Sequence, residues 1–160
     1  MGTDFTETER KFLVKSMDFK NEAFEKSHIV QGFLSKDPQR TVRIRINGDH
    51  GFITIKGGSN DSGLSRFEWE KALEMDEAER LLQLCLPGKI DKIRHLVKVD
   101  NHIFEVDEFL NENEGLIIAE IELKNENEKF SSPAWLGKEV TGEVKYYNSQ
   151  LSQHPFSYWK

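Results

Sequence analysis

The chain has 160 residues, 37% hydrophobic and 31% charged, with 22 Lys plus Arg, 28 Asp plus Glu and a net charge of −6. That length suits one domain with a real core, and Leu, Ile, Val and Phe recur throughout, which excludes wholesale disorder. The acidic balance argues against a nucleic-acid backbone binder, no apolar run approaches the roughly 20 residues of a membrane helix, no apolar signal segment opens the chain, and the single Cys85 excludes an internal disulfide or Cys-based zinc site. These features predict a soluble cytoplasmic protein with one domain over residues 1–160 and no nucleic-acid or membrane partner.

Period-two alternation recurs along the chain and predicts seven strands, each with an apolar and a charged face. In the first, Glu7, Glu9 and Lys11 share a face. Residues 19–28 read as a helix. In Val42-Arg43-Ile44-Arg45-Ile46 both arginines oppose three aliphatics. Around residues 52–56, Phe52, Thr54 and Lys56 oppose Ile53 and Ile55, and the Gly- and Ser-rich residues 57–63 connect to the next strand. There, Glu68 and Glu70 oppose Phe67 and Trp69. Asp76 reads as the N-cap of a second helix, with Glu79 three residues on and Pro87-Gly88 as its stop. The leucines at 81, 82, 84 and 86 form its packing face, with Cys85 buried among them. Three more strands carry Lys92-Ile93-Arg94, Phe104-Glu105-Val106-Asp107 and Ala119-Glu120-Ile121-Glu122. A third helix is expected from Gly142 to about Leu151, capped by Thr141.

A sheet with one wet face explains charged alternation in any single strand. The combined pattern is less ordinary. Solvent faces mix Thr, Ser, Gln and Lys, whereas these faces gather Glu7, Glu9, Glu68, Glu70, Asp107, Glu120 and Glu122 with Lys11, Arg43, Arg45, Lys56, Lys92 and Arg94. Side chains at i and i+2 on a strand lie on one face about 7 Å apart. Two carboxylates at that spacing can share or flank one divalent cation. Two guanidiniums can hold successive phosphates through forked hydrogen bonds. A sheet that curled inward on these residues would desolvate them, at a cost unless each charge were paired or bound. A polyanion with a hard cation answers both signs, since Mg²⁺ takes carboxylate, phosphate and water oxygens.

Several segments resemble the CYTH superfamily, the triphosphate tunnel metalloenzymes. Glu7-Thr8-Glu9-Arg10-Lys11 resembles its opening E-x-E-x-K signature, Gln31-Gly32-Phe33-Leu34 the next block, Arg43-Ile44-Arg45 its R-x-R strand and Thr54-Ile55-Lys56 its T-x-K strand. Gly63-Leu64-Ser65-Arg66-Phe67-Glu68-Trp69-Glu70 is similar to its G-L-S-R-x-E-x-E block, and Lys92-Ile93-Arg94 to its K-x-R strand. Phe104 to Phe109 resembles the segment with the family aspartate, Ala119 to Glu122 the second E-x-E strand, and Trp135 to Thr141 with Lys145 to Asn148 the C-terminal block.

The resemblance implies an α+β, mainly β fold: a closed eight-stranded antiparallel β-barrel, a triphosphate tunnel, with a few flanking helices. It implies Mg²⁺ or Mn²⁺ on Glu7, Glu9, Glu68, Glu70, Glu120 and Glu122. It implies a small-molecule triphosphate held by Lys11, Arg43, Arg45, Lys56, Lys92, Arg94 and Lys145, with Lys11, Lys92 and Asp107 as the catalytic set and Asp107 orienting the basic groups or assisting the metal. The implied reaction is hydrolysis of a phosphoanhydride bond in tripolyphosphate or a nucleoside triphosphate. Adenylate cyclase chemistry and non-catalytic binding of polyphosphate or nucleotide are the alternatives. Phe33 departs from the related short hydrolases, which carry a tyrosine there. His95 alternates away from Lys92 and Arg94, which predicts a surface or core role, and the five histidines show no metal-ligand spacing. The Phe156, Tyr158 and Trp159 tail either covers an apolar patch or meets a second copy, leaving a homodimer open.

Overall fold

The computed structural model describes residues 5–159. Among them, nine strands form: β1 (Thr6–Val14), β2 (Glu25–Ser35), β3 (Arg40–Asn47), β4 (His50–Ser59), β5 (Ser65–Leu73), β6 (Ile90–Val99), β7 (His102–Phe109), β8 (Ile117–Glu122) and β9 (Leu136–Glu139). Neighbours run β5-β4-β3-β2-β6-β7-β8-β1, and β1 pairs back onto β5. Eight antiparallel strands therefore close a barrel, as expected, and β9 pairs with the far end of β1. Closure removes the open edges that a long sheet would expose. No helix among the described residues is long and apolar enough to cross a membrane.

The apolar faces predicted from alternation pack outside the barrel wall. One cluster joins Phe12, Val97, Phe104, Val106 and Ile121 to Phe19 of the short helix α1 (Phe19–Glu22) and to Trp135. His95 belongs to this side: it is buried, donates a hydrogen bond from Nε2 to the Glu108 carboxylate and meets the Phe19 ring edge-on. A second cluster holds Phe33, Ile90, Phe109 and Ile118 with Tyr146 and Leu151. Phe33, Ile90, Phe109 and Ile118 lie two residues from Gln31, Lys92, Asp107 and Glu120. They continue the barrel's inner face past its charged part. They make an apolar floor, and the C-terminal segment covers it.

Helix α2 (Met75–Leu84) packs outside β2, β3 and β4. Two glycines allow its close approach. A Cβ on Gly51 would stand 2.5 Å from the Ala78 Cβ, and one on Gly32 would stand 2.7 Å from the Cys85 Cβ. The N-cap is Glu74, two residues before the expected Asp76: its backbone N–H donates to Glu77 in a capping box. Only part of the leucine run packs, since Leu84 and Leu86 are exposed. Cys85 is half-buried.

Two predicted helices are mostly something else. Residues 19–28 give one helical turn and then enter β2, which pairs with both β3 and β6. Residues 25–28 pair with β6 and residues 29–31 with β3 as well, and this ladder outweighs the helical preference of Glu25 and Lys26. Residues 142–151 form a 3₁₀ turn at Val144–Tyr146, an extended Tyr147, and the short α3 (Asn148–Leu151). Thr141 caps no helix. Its Oγ1 accepts from the Lys11 N–H at 3.0 Å and donates to Glu139. The tail aromatics cover the floor: Trp159 meets Tyr146 and Phe156 edge-on, while Tyr158 stays exposed.

Gly51→Ala puts a methyl into the α2 contact and is expected to cost about 1–3 kcal/mol. Thermal denaturation should read this as a fall of several degrees in Tm.

Candidate active site

Closure turns the charged faces inward. Glu7, Glu9 and Lys11 of β1, Arg43 and Arg45 of β3, Lys56 of β4, Glu68 and Glu70 of β5, Lys92 and Arg94 of β6, and Glu120 and Glu122 of β8 line one cavity of about 270 Å³. Register then sets neighbours. Glu9 stands opposite Glu122, Lys11 opposite Glu120, and Lys56 opposite Glu68.

Lysines stand between the carboxylates. The Lys11 ammonium donates to Glu9 at 3.0 Å and to Glu120 at 2.5 Å. Lys56 donates to Glu7 at 3.0 Å and lies 3.6 Å from Glu68. Glu70 takes Arg45 at 3.3 Å and the Thr54 hydroxyl at 2.7 Å. Burial alone would push the Lys11 ammonium down, but the Glu120 and Glu9 charges and hydrogen bonds outweigh it and hold it well above the ordinary lysine value. Arg45 is pushed down to about 10 by burial and by the charges of Arg43 and Arg94.

Asp107 does not line the cavity; on the same inner face, between Glu105 and the floor residue Phe109, it holds the basic wall. Its carboxylate accepts a fork from Arg94, Nε at 2.8 Å and Nη2 at 2.9 Å, and the Lys92 ammonium at 2.8 Å. All three groups are buried. Burial opposes ionisation of Asp107, yet the Arg94 and Lys92 charges hold its carboxyl well below the usual range. Lys92 is pulled down to about 8: burial dominates, and Arg94 shares the Asp107 charge that would otherwise raise it.

Some residues were missed or stand elsewhere. Glu105 also lines the cavity, opposite Glu120, with its carboxylate 3.3 Å from Arg94. Its signal was available, since it shares a face with Asp107 at i, i+2 spacing. Arg66 lines the cavity two residues before Glu68. Tyr147 and Asn148 enter from the irregular C-terminal segment, where no periodicity points. The Tyr147 ring lies 5.8 Å from the Lys11 ammonium, so the phenol beside that lysine comes from Tyr147, while Phe33 lines the cavity at its apolar floor. Lys145 is outside the cavity: its ammonium lies over the Trp159 ring at 4.7 Å.

The donor set suits a hard divalent cation. Glu105 and Glu122 are both pushed up, first by burial and then by the negative charge of neighbouring glutamates. This wall carries more negative charge than its own lysines neutralise, and its donors are all carboxylate oxygens, the ligands such cations prefer. Among the described residues no three carboxylates already converge on one point, because Lys11 and Lys56 separate them. On the basic side, the Nε atoms of Arg43, Arg45 and Arg66 are buried without a hydrogen-bond partner.

A closed antiparallel barrel with an interior of opposed carboxylates and cations defines a receptor for a compact polyanion. Residues 6–155 match the CYTH domain, and the chain belongs to that family. The chain is 42% identical over 155 residues to an inorganic triphosphatase of Acetivibrio thermocellus, covering 96% of this chain and 97% of that one. It is 32% identical over 151 residues to an inorganic triphosphatase of Nitrosomonas europaea, covering 92% and 97%. A crystal structure of an inorganic triphosphatase superposes with a TM-score of 0.64 at 28% identity, covering 91% of this chain and 96% of the other.

Asp107→Asn leaves Lys92 and Arg94 buried without their anion and is expected to cost about 3–5 kcal/mol. Because the folded carboxyl lies below its unfolded value, its stabilisation is present above about pH 4 and is lost as pH falls further. Urea denaturation at pH 7 and pH 3 should show a loss in the wild type that is smaller in Asp107→Asn.

Proposed function

We propose that the chain hydrolyses a phosphoanhydride bond of a small triphosphate, tripolyphosphate or a nucleoside triphosphate, with Mg²⁺ or Mn²⁺. One observation carries this reading: Arg43, Arg45, Lys56, Arg66, Lys92 and Arg94 share one 270 Å³ cavity with seven glutamates and Lys11. Triphosphatase relatives of nearly the same length support it. The apolar lining amounts to Phe33, Leu64 and Tyr147, which favours a phosphate chain over an organic base.

In this reading the basic wall binds and orients the phosphate chain. The Arg43, Arg45 and Arg66 side chains line the cavity, and no protein acceptor holds their buried Nε atoms. Phosphoryl transfer passes through a loose, highly charged transition state, so catalysis is mostly positioning and charge stabilisation. Groups already fixed in a water-poor cavity perform that task without reorganising. Asp107 fixes Lys92 and Arg94 in place, and Glu120 with Glu9 keeps Lys11 charged. Glu7, Glu9, Glu68, Glu70, Glu120 and Glu122 would hold the cation. When bound, it would neutralise phosphate charge and make an attacking water more acidic. Lys92, at about 8, is the cation whose charge is lost first as pH rises.

Phosphate should be released from tripolyphosphate with Mg²⁺ or Mn²⁺, and Arg45→Ala or Glu9→Gln should each slow it roughly a hundredfold. No turnover with any triphosphate and metal tried would end the hydrolase reading. Since kcat/KM follows ionisation of the free enzyme, it should fall above about pH 8 as Lys92 loses its proton. Lys92→Arg should remove that alkaline limb; a limb that survives would assign it to another group.

A further inference from the structure

The hydrogen-bond chain behind Lys92 fixes an amide that the reading above leaves unused. Asn148 Oδ1 receives two bonds, from the Lys92 ammonium at 2.9 Å and from Gln31 Nε2 at 2.9 Å. The orientation of both amides follows from chemistry. An ammonium has only donors, so the Asn148 atom that faces it must be the oxygen. That same oxygen faces Gln31, so Gln31 must present its Nε2. The consequence is visible: Gln31 Oε1 is buried and has no partner. An unsatisfied buried oxygen is costly, so the chain accepts a penalty to keep Gln31 turned this way.

The opposite side of the Asn148 amide is then determined. Its Nδ2 carries two protons, and among the described residues no protein acceptor bonds to it. Asn148 lines the cavity beside Lys92, Arg94 and Tyr147. Gln31 does not line it and is fully buried.

We propose that Asn148 is a substrate-contacting residue whose Nδ2 donates to a phosphate oxygen of the bound chain, and that Gln31 is a positioning residue that holds this amide in its donating orientation. The proposal rests on the triphosphate reading and extends it with a neutral donor among the charged ones. A neutral donor selects for an acceptor oxygen without adding to the repulsion among Arg43, Arg45, Lys92 and Arg94.

The test is steady-state hydrolysis of tripolyphosphate by Asn148→Ala, Asn148→Asp and Gln31→Leu, with Tm recorded for each. Asn148→Asp keeps an oxygen for Lys92 and Gln31 but turns a carboxylate oxygen toward the phosphate. It should raise KM more than Asn148→Ala, which should itself raise KM about tenfold, the loss expected for one hydrogen bond to a charged group. Gln31→Leu should also raise KM, although its side chain cannot touch the substrate. A purely structural role predicts the reverse order, with Asp milder than Ala and the losses following Tm; that result overturns the proposal, as does a KM unchanged in both Asn148 variants. The same order is read by calorimetry of tripolyphosphate binding. A wild-type chain that binds but does not turn over would end the hydrolase reading alone, and one that does not bind tripolyphosphate would overturn both.

Discussion

Ionic groups gathered where water is scarce are the constraint on which this structure depends. Removing one charge from water costs several kcal/mol unless a partner replaces the solvent. The barrel interior therefore reads as a set of obligatory pairings. Asp107 answers Lys92 and Arg94, Glu120 and Glu9 answer Lys11, Glu7 and Glu68 answer Lys56, and Glu70 answers Arg45. Pairing of this kind roughly offsets desolvation and supplies little net stability. The fold must draw its stability from apolar burial instead, and both clusters lie away from the charged interior: one outside the wall around Phe104 and Trp135, one at the floor around Phe109 and Leu151.

The pairings differ in how firmly they are held. The Asp107 fork is buried, so Lys92 and Arg94 are fixed before any ligand arrives. Lys11 and Lys56 instead stand in the cavity, bonded to carboxylates that suit a divalent cation. In the proposed reading, Lys11 and Lys56 would turn to phosphate oxygens, which would free Glu7, Glu9 and Glu120 to hold the cation. Lys11 is further steadied through its backbone, whose N–H donates to Thr141 and whose carbonyl accepts from Val140.

The C-terminal segment serves floor and site at once. Tyr146, Leu151 and Trp159 cover the apolar end of the barrel, while Tyr147 and Asn148 between them reach the cavity. A break in helical geometry at Tyr147 allows this division, because a continuous helix would turn these neighbours to different faces. The cation of Lys145 is diverted onto the Trp159 ring, on the solvent side.

Alternation along single strands was enough to divide Glu7, Glu9, Arg43, Arg45, Lys92, Arg94, Glu120 and Glu122 from the apolar faces, because the two-residue period of a strand is a local property of the backbone. The family resemblance then supplied closure. Other features were decided only by tertiary structure. Residues 25–35 became a strand because β6 offered hydrogen bonds to its first part and β3 to its second, a long-range gain that no local preference records. Asn148 joined the cavity through the path of an irregular segment. Which side chains share a face is written in the spacing of residues. Which faces meet depends on where distant strands pair, and that is settled by the total energy of the closed barrel.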